Sequence, residues 1–135
     1  MTEASIKNPS KPVLGAAEPQ LFVSDIRASC DFYREKLGFH VRFAYGKPPF
    51  YAQVVRDAAR LNLRHLDSPI VDAQLRAKQD LLSATVVLDD PEALFQEYQA
   101  KHVPFHQLLK TEAWGSRSFI VADPDGNLIA FSGGR

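Results

Sequence analysis

Few side chains in this chain have the type and spacing for covalent chemistry. His102 and His106 stand four residues apart, the interval at which two imidazoles on one helix can grip zinc. The first, however, closes a helix-like stretch and the second opens a strand-like one, so they share no helical face and read as partly exposed histidines. Cys30 is the one thiol. It falls on an apolar stripe with no basic residue evidently placed to lower its pKa, which fits a small buried hydrophobe better than a nucleophile. Ser-His-Asp and glycine-rich phosphate-loop patterns are absent. What remains is aromatic: Trp114, the only tryptophan, stands between Glu112 and Gly115 at the mouth of the hairpin WGSRSFIVADPDGNLIAF. Its ring could close one end of the core or meet a planar ligand.

The bounds are those of an ordinary globular chain. At 135 residues, 45% hydrophobic and 24% charged, it can bury roughly two thirds of its unfolded surface without staples. Sixteen basic and sixteen acidic residues give zero formal net charge, so neither nucleic acid nor an anionic membrane is expected as a partner. A single cysteine permits no internal disulfide, and no apolar run approaches the length of a membrane span. A cytoplasmic protein is expected.

The elements that must position any site alternate in a recognisable order. Residues 1–17, with Pro9, Pro12 and Gly15, read as an arm, followed by a folded region over 18–135. PQLFVS (19–24) is a short strand, after which Ser24 or Asp25 can cap a helix. Ile26, Cys30, Tyr33 and Leu37 then recur on one helical face, and Gly38 ends the helix. FHVRFAYG (39–46), FYAQVVR (50–56) and RLNLRHL (60–66) read as three strands. The order repeats: SATVVLDD (83–90) follows EPQLFVSD (18–25) at an offset of 65 residues, with Pro91 suited to a first helical turn. Leu94, Phe95 and Tyr98 supply a stripe, His102 sits where a glycine would end the helix more comfortably, and VPFHQLL (103–109), SRSFIVA (116–122) and NLIAFS (127–132) follow as strands, the last two joined by the turn Asp123-Pro124-Asp125-Gly126. The spacing predicts an α+β fold of two tandem βαβββ modules, about 18–66 and 82–133, joined by a linker over 67–81 with a helical turn near Val71 to Lys78. Each mixed sheet carries one helix, and its other face is left to curl around a core or a ligand.

LFVSDIRASCDFYREKLGF and ADPDGNLIAF resemble the opening and the closing hairpin of the glyoxalase, bleomycin-resistance and ring-cleaving dioxygenase superfamily, the vicinal oxygen chelate group. EAWGSRSFIVADPDGN and FYAQVVRDAARLNL resemble its bleomycin-resistance proteins, which bind and sequester an antibiotic. The resemblance implies a curled mixed-sheet groove, a homodimer, and metal ligands, where they exist, at four positions. These map to Glu18, Arg64, Ser83 and Ala130, or to His65 for Arg64 if the register slips by one. Only Glu18 is a good donor, whereas a Lewis-acid site needs about three. No metal or other cofactor is therefore expected, and binding is favoured over catalysis by a lyase, isomerase or dioxygenase of the same superfamily with atypical ligands. The resemblance also implies that Trp114 and Tyr51 sandwich a planar ligand, with Phe50 adjacent to the second position. Arg64, Arg42 or Arg117 could face the groove or the solvent; if one faces inward, an acidic group is complemented better than a cationic tail. The expectation is a homodimer that holds a small planar or amphipathic molecule, with an antibiotic among the candidates, on Trp114, Tyr51, Phe50, Arg64 and Arg117.

Overall fold

The computed structural model describes residues 11–134. Two βαβββ modules follow one another: β1 (Gln20–Val23), α1 (Ile26–Glu35), β2 (His40–Tyr45), β3 (Tyr51–Arg56) and β4 (Ala59–His65), then β5 (Leu82–Leu88), α3 (Pro91–Ala100), β6 (Phe105–Thr111), β7 (Arg117–Ala122) and β8 (Leu128–Gly133), with the short linker helix α2 (Ala73–Lys78) between them. Each module forms its own four-stranded sheet, in the orders β1-β4-β3-β2 and β5-β8-β7-β6. The β1–β4 and β5–β8 pairs are parallel and the rest antiparallel. Residues 11–17 are exposed and irregular; the rest of the expected arm, 1–10, lies outside the described residues.

Local chemistry accounts for the boundaries. Asp25 caps α1, its side chain accepting from the Ala28 N–H, and Asp90 does the same for α3 through Ala93; each satisfies a donor that has no partner inside its helix. Gly38 takes φ +75°, the left-handed conformation that ends the helical stretch at little cost for glycine. His102 adopts φ +57° without being glycine, as its place after α3 required, so the discomfort expected there is present as a small backbone cost.

The predicted stripes are the packed faces. Ile26, Cys30, Tyr33 and Leu37 are buried, as is Tyr98, with Leu94 and Phe95 half-buried against the same core. Burial raises the Cys30 thiol above its ordinary pKa, with the Asp31 charge adding to the effect, which leaves it a poor nucleophile. One continuous core takes residues from both modules, from Leu21, Val54 and Leu63 to Phe119, Ile129 and Phe131. The helix-bearing faces of both sheets therefore feed one interior. Polar clamps reinforce the junction: the Arg56 guanidinium donates to both Glu97 carboxylate oxygens (2.8 and 3.0 Å) and to the Leu37 carbonyl (2.9 Å), to which the Tyr98 hydroxyl also donates (2.7 Å).

The hydrogen bonds from Arg56 hold the Glu97 carboxyl below its ordinary pKa of 4.5. A depressed folded-state pKa stabilises the fold above the unfolded value and is lost as pH falls through the folded one. Glu97→Gln should therefore lower stability by about 0.5–1 kcal/mol at pH 7, a partly solvent-screened pair, in urea titrations. The gap to the parent protein should close as the pH is brought below 4.5. A gap that persists unchanged in acid would mean that Glu97 acts through packing rather than charge.

Candidate functional site

Strand alternation leaves one face of each sheet outside the core. On the first sheet, Ala52, Val54, Leu61 and Leu63 point into the core, so Tyr51, Gln53 and Val55 of β3 and Arg60, Asn62 and Arg64 of β4 occupy the open face. The register aligns these residues in rows. Phe22, Arg64, Tyr51 and Tyr45 form one row across β1-β4-β3-β2; Gln20, Asn62, Gln53 and Phe43 form the next. The Phe43 and Tyr51 rings lie 5.8 Å apart.

A polar network fixes the centre of this face. Gln53 and Asn62, each 3% exposed, are joined by a 2.8 Å hydrogen bond from Gln53 Nε2 to Asn62 Oδ1. Both amides donate to Glu18 Oε1 at 3.2 Å. Arg42, in the bulge between Val41 and Phe43, donates to Gln53 Oε1 at 2.8 Å, and Arg60 lies 3.7 Å from the other Glu18 oxygen. Each buried amide is thus satisfied and held in one orientation.

The open face of the second sheet differs in chemistry. Ile120, Leu128 and Ala130 form a small separate apolar cluster with Ala122, edged by Ser118, whose hydroxyl donates to Glu112. Glu112 is also 3.7 Å from Lys110. Trp114, 68% exposed, projects from the loop between β6 and β7, where Gly115 takes φ +98°.

The sequence-predicted residues separate accordingly. Tyr51 and Arg64 are brought together as neighbours on the open face of the first sheet. Phe50 meets that row only at its edge: it precedes β3, packs edge-to-face on Tyr45 at 5.6 Å, and lines a hollow with Pro48, Pro49 and His65 at the start of α1. Tyr51, rather than Phe50, therefore stands beside Arg64 on the open face. Arg117 is a correction. Between Ser116 and Ser118 it turns to the helix-bearing side and pairs with Glu92 of α3 at 2.7 Å, so it cannot line the open face. Tyr51 lies on the first sheet and Trp114 on the β6–β7 loop of the second module, and Trp114 joins no ring pair among the described residues.

The expected metal positions also need one change. Ala130 pairs with Thr85 of β5, and the equivalent pair in the first module is Gln20 with Asn62. Asn62, not Arg64 or His65, is therefore the counterpart of Ala130. Ser83 is engaged with Arg76 and Asn127. The set becomes Glu18, Asn62, Ser83 and Ala130, with one carboxylate and one methyl, and it does not fit a three-donor metal site. His106 is taken by Asp80 at 2.7 Å, away from His102. No cluster of three or more His, Cys, Asp or Glu suited to a metal occurs among the described residues.

Phe22, Phe43, Gln53 and Asn62 are absent from the sequence-level candidates. Gln53 in YAQVVR and Asn62 in RLNLR carried a signal, since each is a polar residue inside an apolar strand.

Residues 15–131 match the sequence profile of the Glyoxalase/Bleomycin resistance protein/Dioxygenase superfamily. The chain belongs to this superfamily. Within it, a bleomycin resistance protein of Geobacillus stearothermophilus is 30% identical over 125 residues, covering 84% of this chain and 92% of its own; a Staphylococcus aureus bleomycin resistance protein matches equally. Among superfamily structures, the bleomycin-binding protein of Streptomyces verticillus, solved with copper(II)-bleomycin, superposes with a TM-score of 0.72 at 26% identity, over 93% of this chain and 100% of that one. A glyoxalase-related enzyme from Clostridium phytofermentans reaches the same TM-score at 16% identity over 90% and 96%, which speaks for the shared fold alone.

From the donor set, protein purified without chelators should carry zinc, nickel, manganese and iron far below one equivalent per chain by elemental analysis. Near-stoichiometric metal would overturn the assignment of Asn62, Ser83 and Ala130 as non-ligating.

Proposed function

We propose that the protein binds a planar or amphipathic small molecule on the open faces of its sheets and sequesters it without turnover, as a cytoplasmic homodimer. The observation that carries this reading is the open face of the first sheet. There, Phe22, Phe43, Tyr45 and Tyr51 flank a polar network in which Gln53, Asn62 and Glu18 satisfy one another. Rings supply apolar area and stacking, and fixed amides supply direction; neither group is set up to move a proton or form a bond. The bleomycin resistance relatives support sequestration as the use of such a face, and an antibiotic as one kind of ligand.

Homodimerisation is part of the proposal because one chain leaves the faces open. Trp114 projects from a loop of the second module and Tyr51 lies on the sheet of the first, and a second copy could set the hairpin of one chain over the rings of the other. Closed two-fold assembly is the common route to such complementary surfaces.

Calorimetric titration of the purified protein with bleomycin and a panel of aromatic compounds tests the reading. At least one compound should bind with one site per chain and be recovered unchanged by mass spectrometry. Tyr51→Ala and Trp114→Ala should each weaken it about threefold to tenfold, the value of one stacked ring. Chemical conversion of the bound compound would replace sequestration by catalysis. Sedimentation at micromolar concentration should give twice the chain mass, and a monomer there would remove the composite groove.

A further inference from the structure

The open face of the first sheet is unbalanced in charge where its rings converge. Leu61 and Leu63 enter the core, so Arg60, Asn62 and Arg64 lie on the other side of β4. Arg64 is paired across the strands with Tyr51 on one side and Phe22 on the other, and Phe43 adds a ring 5.8 Å from that of Tyr51. Three guanidinium groups thus serve this face, but their circumstances differ. Arg42 is bound to Gln53 Oε1, and Arg60 shares Glu18. Arg64 takes part in no ion pair and no side-chain hydrogen bond among the described residues, although Gln53 and Asn62 beside it are fully engaged. Glu18 is the only carboxylate in the network, and it already accepts from both amides.

A permanently charged planar group beside aromatic rings favours two kinds of contact at once. Its in-plane N–H groups suit the paired oxygens of a carboxylate, sulfonate or phosphate, while the rings next to it suit a flat apolar body. A cationic ligand would meet a face with three arginines against one glutamate and be repelled.

We infer that the ligand is an aryl anion, with its acidic group docked on Arg64 and its ring system against Tyr51 and Phe43. This rests on the sequestration reading above and adds the charge class of the ligand to it. The charge imbalance belongs to β2 and β4 alone, since the open face of the second sheet offers Lys110 and Glu112 as a mutual pair.

A matched pair of probes separates the charge from the groove. 8-Anilinonaphthalene-1-sulfonate and N-phenyl-1-naphthylamine share one aromatic frame and differ by the sulfonate. Fluorescence titration of the full chain should show the sulfonate binding about tenfold more tightly than the neutral amine, the increment of one charge-assisted contact. Arg64→Gln should remove that advantage and leave the amine unaffected, and Arg64→Lys should retain part of it. Arg117→Gln, on the opposite side of its sheet, should change neither probe. Equal affinities in the parent protein, or an Arg64→Gln loss shared by both probes, would overturn the anion assignment while leaving the groove in place. If neither probe binds, the groove reading falls together with it.

Discussion

One buried carboxylate ties the two modules together alongside their shared core. Asp123 is 5% exposed and lies in the turn before β8, yet its Oδ2 accepts from the Tyr33 hydroxyl of the first module at 2.9 Å and from the Asn127 amide at 2.9 Å. Its Oδ1 accepts from the backbone N–H groups of Asp125 and Asn127. Burial pushes its pKa up while those donors pull it down; without them a buried carboxylate would be costly to keep. The turn then reaches further into the first module. Asn127 Nδ2 donates to the Phe22 carbonyl at 3.0 Å, and the Ser24 N–H donates to Asp125 Oδ1 at 3.0 Å. Thus one five-residue turn anchors the C-terminal end of β1, the strand that flanks Arg64.

The duplicated architecture has been held constant where it is covered and has diverged where it is open. Asp25 and Asp90 cap equivalent helices in the same way, and leucines, valines and aromatic residues of both modules meet in a single core. At equivalent open positions the modules differ: Glu18 against Ser83, Asn62 against Ala130. The first face is polar, cationic and ringed, whereas the second is small and aliphatic at Ile120, Leu128 and Ala130. A molecule that touches both faces meets them with unlike ends.

Much of the architecture was legible because the turns and stripes are strong. The carboxylate-capped helices, Gly38, His102 and the Asp123-Gly126 turn all carry local signals, and strand alternation needs no tertiary information to read. Linker helix α2 fell within the predicted segment for the same reason. The site was less legible. Whether Arg64 or Asn62 matches Ala130 depends on β-sheet register, which the pairing partner decides and the strand alone does not. Alternation already sets Arg117 on the same face of β7 as Phe119 and Val121; only its ion pair with Glu92, 25 residues away, is a contact that no local pattern reveals. Gln53 and Asn62 look like isolated polar intrusions until the network that satisfies them is assembled.

The position of Trp114 has a practical consequence. The chain's only indole is two-thirds exposed on a loop, while Tyr33, Tyr98, Phe119 and Phe131 fill the interior. Tryptophan emission therefore starts from a water-bathed fluorophore in the native protein and has little further to shift when the core melts. It is nearly blind to unfolding, and for that reason it is a clean optical reporter of whatever settles against the hairpin.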